Sequence, residues 1–277
     1  MSCPRCIQGF ILPGEPTGTF QPDFHNAYLA PAPNGKPSKR AVFLFTDIFG
    51  LPLQNPMIMA DTIAKELGCD VWVPDYFKGK PPMPLTTMIP DRAGVKASLW
   101  DWVKFVGVLL RNLPALINSR PAVVDKRLAS LFALLKEKKT YEKIGAVGYC
   151  FGGTTAARLG STKYLNSIVI VHPGPISDSV LKSISIPTAW ACAEEDTFWP
   201  ESERNKAEAV FAARKDTDKF VDYEFKVYKG TAHGFASRPN LELPEIKAAH
   251  EQALEQAIAW FQKTLTVSEP VKETTEG

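Results

Sequence analysis

The chain lacks any run of apolar residues long enough for a helix to cross a bilayer. Its opening, Met1-Ser2-Cys3-Pro4-Arg5-Cys6, has neither the basic start nor the apolar core of a secretory signal, so a cytoplasmic protein is expected. An excess of one charge is also lacking. Thirty-two Lys and Arg stand against thirty Asp and Glu, a net +2, which argues against nucleic acid or an anionic membrane as partner. Cysteine is scarce: five residues, at 3, 6, 69, 150 and 192, odd in number and scattered. That excludes a disulfide scaffold and suits a reducing compartment. Cys3 and Cys6 form a Cys-x-x-Cys pair without a second pair or a neighbouring histidine, so no metal is expected there. Internal repeats and interdomain linkers are missing too. With 277 residues, 45% of them hydrophobic, the chain can build one large core.

What is present alternates between strand and helix. Residues 1–38 are rich in Pro and Gly and read as an N-terminal arm or short hairpin packed on the domain. Ala41–Thr46 is a continuous apolar run, as in a central strand, and a helix over 56–67 should end at Gly68. A strand at Val71–Pro74, a proline-heavy loop over 77–90 and helices over 95–110 and 121–138 follow. Further strands are expected at 143–147, 167–171, 188–193 and 222–228, with helices near 201–214 and 244–265. Residues 266–277 form a polar tail of disordered composition. This order predicts a single α/β domain over 39–265, a mostly parallel sheet with helices on both faces. Trp100, Trp102 and Phe105 recur at helical spacing and are read as core.

The chemistry centres on Gly148-Tyr149-Cys150-Phe151-Gly152-Gly153, between the apolar run 143–147 and the helix formers 154–159. Strand, sharp turn and helix are the context of a nucleophile elbow, here with cysteine at its tip. Most free cysteines are buried and inert, but a helix starting at Phe151 points its N–H groups at the sulfur and favours thiolate. A base must come from four histidines. His25 lies in the arm, His250 in the last helix, and His172 follows a strand where it could line a pocket. His233, in Lys229-Gly230-Thr231-Ala232-His233-Gly234-Phe235 after the last strand, fits best the rule that sites collect at the carboxyl ends of strands. Asp196, in Glu194-Glu195-Asp196-Thr197-Phe198-Trp199-Pro200, is the expected orienting carboxylate. Oxyanion donors are expected at the Phe151 N–H and, from Thr46-Asp47-Ile48-Phe49-Gly50, at the Ile48 N–H. Asp47 would place an acid beside the thiol, or serve only as a turn aspartate.

Thr46–Gly50, Gly148–Gly153, Glu194–Asp196 and Ala232–Phe235, in this order, resemble the dienelactone hydrolase (carboxymethylenebutenolidase) family of the α/β-hydrolase superfamily. The arm, with Cys6-Ile7-Gln8-Gly9-Phe10 and Pro13-Gly14-Glu15-Pro16-Thr17-Gly18, is most similar to the group found in fungi. The resemblance runs from about Cys6 to Leu265 and implies Cys150, Asp196 and His233 as a catalytic triad. In the bacterial enzymes a glutamate stands where this chain has Asp47. The family binds a substrate carboxylate with arginines, for which Arg238 and, less directly, Arg92 are the matching positions. Phe198 and Trp199 are expected to shape the pocket.

The function expected is hydrolysis of a lactone or activated ester through a thioester on Cys150, without metal or organic cofactor. A different lactone, anhydride or thioester in a secondary-metabolite pathway is the alternative. A non-catalytic binding protein and a thiol redox sensor rank behind both. The expected partner is a small molecule, and monomer and homodimer both remain open.

Overall fold

The strands come from the apolar runs, and their order in the sheet decides where the loops meet. A computed structural model describes residues 10–35, 37–85 and 90–267. Cys3, Cys6 and the tail beyond Val267 lie outside the described residues, as do residues 86–89 of the proline-rich loop. Strands β1 (Thr19–Gln21) and β2 (Ala27–Ala30) form a hairpin. They precede β3 (Arg40–Phe45), α1 (Asn55–Leu67) and β4 (Asp70–Val73). Next come α2 (Leu99–Arg111), α3 (Leu113–Asn118) and α4 (Pro121–Lys138). The second half alternates: β5 (Lys143–Tyr149), α5 (Phe151–Leu159), β6 (Ser167–Val171), α6 (Asp178–Ser183) and β7 (Thr188–Glu195). It closes with α7 (Glu201–Ala212), β8 (Tyr223–Ala232) and α8 (Pro244–Thr264).

Among the described residues these strands make one eight-stranded sheet in the order β1-β2-β4-β3-β5-β6-β7-β8. It is parallel from β4 through β8, and only the β1–β2 and β2–β4 pairs are antiparallel. The arm is therefore partly sheet. Its hairpin lines the edge with Ala27, Tyr28 and Ala30 buried, because a strand edge beside β4 satisfies its backbone groups better than a loop laid over the surface.

Alternation along each strand builds a core on either face. Val42 and Leu44 point to the face covered by α1 and α8, with Ala60, Ile63, Trp260 and Phe261. Phe43 and Phe45 point to the opposite face, with Leu128 and Phe132 of α4, Ala156 of α5 and Phe211 of α7. Helix α1 stops as its sequence demands: Gly68 adopts φ 62 and its N–H caps the Ala64 carbonyl at 2.9 Å.

Helix α2 departs from expectation. It starts at a capping box in which the Ser98 hydroxyl accepts from the Asp101 N–H and Asp101 accepts from the Ser98 N–H. Yet none of its residues is buried. Trp100 is 72% exposed and Trp102 39%, while Phe105 packs with Phe49, Leu53 and Met83 in a small cluster beside the main core. Trp100 and Trp102 are not core, whereas Phe105 is half-buried against that cluster. Helical spacing marks an apolar stripe without saying what faces it, and here the 90–97 loop and α2 stand over the sheet's carboxyl edge.

Candidate active site

Strands β3, β5, β6, β7 and β8 run parallel, so the segments after them gather at one edge: Thr46–Gly50, Cys150, His172, Asp196 and His233. Cys150 sits at the tip of the β5–α5 turn with φ 54 and ψ −112, a conformation rare for a residue with a side chain. Three hydrogen bonds hold it there. Its N–H donates to the Val171 carbonyl at 3.1 Å, and its carbonyl accepts from the N–H groups of Thr154 and Gly174, both at 3.2 Å. Two glycines make room for the turn. A Cβ on Gly148 would lie 2.1 Å from the Gly152 carbonyl oxygen, and one on Gly152 would lie 2.1 Å from the Phe45 carbonyl oxygen.

His233 follows β8 in a turn that Gly234, at φ 91, allows to fold back. Its Nε2 lies 3.0 Å from Cys150 Sγ, and its Nδ1 lies 2.9 Å from both carboxylate oxygens of Asp196. Asp196 is held in turn by the backbone, its Oδ1 accepting from the N–H groups of Phe198 and Trp199 at 2.8 and 3.0 Å. With the carboxylate on Nδ1, that nitrogen carries the proton and Nε2 faces the sulfur. Burial opposes a charge on His233, but a Cys150 thiolate and the Asp196 carboxylate outweigh it and raise its pKa. Asp196 is lowered although burial pushes the other way, because His233 and the backbone donors stabilise its charge.

The two neighbouring glutamates are structural ties. Glu194 accepts from the Gly230 N–H at 2.8 Å and pairs with Lys229 at 2.7 Å, bracing the strand that leads to His233. Glu195 accepts from the Gly94 N–H at 2.8 Å and pins the 90–97 loop over the site.

Asp47 is buried, and burial raises its pKa. Its Oδ1 accepts from the Phe49 N–H at 3.0 Å, an Asx turn, while its Oδ2 has no hydrogen-bond partner among the described residues. The charge of Arg238 partly offsets the burial. Arg238 itself is turned inward. Its guanidinium lies 4.0 Å from the centre of the Phe49 ring and donates to the Leu85 carbonyl at 3.2 Å.

Two cavities flank His233. One of about 370 Å³ opens over Cys150 and is walled by Ile48, Phe49, Met83, Phe105, Phe151 and Phe198 among others. The other, about 480 Å³, carries polar groups including Arg92, Lys96, Asp101 and Glu195. Phe105, Phe198 and His233 border both. Phe198 meets the His233 ring edge to face at 4.8 Å. Trp199 does not reach either cavity: it stacks on Trp190 in the core, with ring centres 6.0 Å apart, because adjacent residues entering α7 point in different directions.

The dienelactone hydrolase family model matches residues 26–265, nearly the whole described chain. The chain belongs to the dienelactone hydrolase family. It is 31% identical over 256 residues to "Hydrolase tropI" of Talaromyces stipitatus, covering 92% of this chain and 94% of that one. It is 30% identical over 266 residues to the carboxymethylenebutenolidase homolog of Mus musculus, covering 94% and 96%. Among solved structures, a putative dienelactone hydrolase from Klebsiella pneumoniae superposes with TM-score 0.59 at 14% identity, covering 86% and 92%. That likeness supports the α/β-hydrolase fold. With its family, the chain is a hydrolase.

Of the positions matched to the family's carboxylate-binding arginines, Arg238 lines neither cavity and Arg92 lines the outer one, 3.9 Å from Asp91. Arg158 carries no motif that marks it as a site residue in the sequence, although with Thr154 it repeats at i+4 and i+8 from Cys150 and so shares its helix face. It lines the Cys150 cavity while paired with Asp125. His172 lies behind His233, ring centres 5.1 Å apart, fully buried and held neutral, its pKa pushed down to about 3 by burial and by the charge of His233. Among the described residues no cluster of three metal-ligating side chains occurs, and no helix is long and apolar enough to cross a membrane.

Proposed function

We propose that the protein hydrolyses a lactone or activated ester through a thioester on Cys150. The observation that carries this is the chain of contacts Cys150 Sγ–His233 Nε2 at 3.0 Å and His233 Nδ1–Asp196 at 2.9 Å. His233 takes the thiol proton, and the resulting thiolate attacks the substrate carbonyl carbon. The carbonyl π electrons move to oxygen, where the N–H groups of Ile48 and Phe151 hold the oxyanion. Phe151 is suited to this as the first residue of α5, whose N–H has no acceptor within the helix. Ile48 belongs to a turn whose next two N–H groups are already bonded to Asp47, at 3.0 and 3.3 Å.

Collapse of the tetrahedral adduct breaks the ester C–O bond. The leaving alkoxide or enolate takes the proton from His233, leaving an acyl thioester. His233, neutral again, removes a proton from water, and the hydroxide adds to the thioester carbonyl. Expulsion of the Cys150 thiolate releases the acid. Asp196 holds the imidazole tautomer and stabilises its charged form throughout. A redox role fits less well. Cys69 and Cys192 are buried, with thiols pushed up to about 12 by that burial, so neither is a ready partner for a Cys150 disulfide.

The test is hydrolysis of p-nitrophenyl acetate and the neutral lactone dihydrocoumarin by the wild type, Cys150→Ala and His233→Ala, with intact mass spectrometry. Turnover by the wild type, its loss in both variants and an acyl adduct confined to Cys150 are expected. No turnover and no adduct on either substrate would sink the reading.

A further inference from the structure

The wall of the Cys150 cavity carries information about the acyl group that the triad does not. Phe49, Met83, Phe105, Leu109, Leu116 and Phe151 line it, from four separate segments of the chain. A cation that lines it among the described residues is Arg158, and its charge is already met. Its Nη2 and Nε donate to the two carboxylate oxygens of Asp125 at 2.8 and 3.1 Å, and Nη2 also donates to the Thr155 hydroxyl at 3.2 Å. Arg238 lies behind the wall against Phe49 and the Asp47 carboxylate. Asp47 itself borders the cavity and is acidic. A carboxylate brought in here would lose its water, meet no uncompensated positive charge among the described residues of this wall and stand near a buried acid.

We infer that the acyl group delivered to Cys150 is neutral and apolar, of one or two rings or a short alkyl chain, and not a carboxylate-bearing one. The inference rests on the proposed hydrolysis at Cys150 and narrows its substrate class. The volume, about 370 Å³, lies at the small end of the roughly 300–1,000 Å³ range of small-molecule sites and suits an acyl group of that size. The leaving group must sit beside His233, which donates its proton. His233 borders the outer cavity, where Arg92, Lys96, Asp101 and Glu195 offer polar contacts to a departing alcohol. The site is thus divided at His233 and Phe198, with an almost wholly apolar acyl side and a more polar alcohol side.

The matched pair p-nitrophenyl butyrate and mono-p-nitrophenyl succinate tests this, since the acyl chains differ in a terminal methyl against a carboxylate. With each rate divided by that of a small free thiol on the same ester, kcat/KM for the butyrate should exceed that for the succinate by about 30-fold or more. The p-nitrophenyl benzoate should also be accepted. Leu109→Arg, which places an unpaired cation in the wall, should shrink the butyrate preference at least 10-fold, and Leu116→Arg serves if the first variant does not fold. Equal or better use of the succinate ester by the wild type would overturn the inference while leaving hydrolysis at Cys150 standing. Turnover of no ester, with no acyl adduct on Cys150, would overturn both together.

Discussion

His172 makes a quantitative statement about acid stability. Its ring is buried at the end of β6, packed edge to face on His233 and on Phe235, with Tyr149 behind. Neither ring nitrogen has a hydrogen-bond partner among the described residues. Burial, reinforced by the charge of His233 and only partly opposed by Asp196, pushes its pKa from 6.5 down to about 3. In the unfolded chain the imidazole takes up a proton as pH falls through 6.5, whereas in the folded chain it stays neutral until about pH 3. The unfolded state therefore binds more protons in that window, and stability falls as pH falls, by about 1.4 kcal/mol per unit once well below 6.5. Between pH 6.5 and 4.5 the loss due to this one group is about 2 kcal/mol.

Replacing His172 with Phe or with Asn removes the titration. Either change also alters packing, but that cost is the same at both pH values and cancels in the difference. Urea unfolding followed by tryptophan fluorescence at pH 6.5 and 4.5 is the assay. Both variants should lose about 2 kcal/mol less than the wild type on acidification. A pH difference unchanged in both variants would refute the argument that His172 is held neutral by its surroundings.

Three other outcomes are expected. Trp199→Ala should cost about 3–5 kcal/mol in urea unfolding by emptying the stack on Trp190, whereas Phe198→Ala should cost clearly less and show its main effect in turnover, read from p-nitrophenyl ester kinetics. Gly152→Ala should destabilise by about 3 kcal/mol, seen as a lowered urea midpoint, because its Cβ would press on the Phe45 carbonyl and force α5 away from β3. Asp47→Ala should cost about 1–2 kcal/mol at the urea midpoint, because it removes the Oδ1 that accepts from the Phe49 N–H and holds the turn carrying Ile48.

The elements that were legible in the sequence are those whose cause is local. The run Lys143–Tyr149 is a strand because its apolar residues are buried on both faces of the sheet, and the elbow follows because glycines stand where backbone meets backbone. Gly68 ends α1 by the left-handed conformation it alone adopts cheaply. The positions of Cys150, Asp196 and His233 were legible as well, since each follows a parallel strand and all such ends share one edge.

Side-chain direction was not legible in the same way. Phe198 and Trp199 look alike in the chain, yet one faces His233 and the other the core. Trp100 and Trp102 have the spacing of core residues and stand at the surface, since no element among the described residues packs over that side of α2. Arg238 matches a substrate-binding position and is drawn inward by Asp47 and the Phe49 ring. The sequence by itself determined the order of strands and helices along the chain and the elbow, because each depends on neighbours within a few positions, whereas Asp196 and His233 reach Cys150 through the parallel order of the sheet. The shape and charge of the cavity were decided only by the tertiary structure. They arise where seven separated segments meet, and nothing local in any of them records which side chains the others supply.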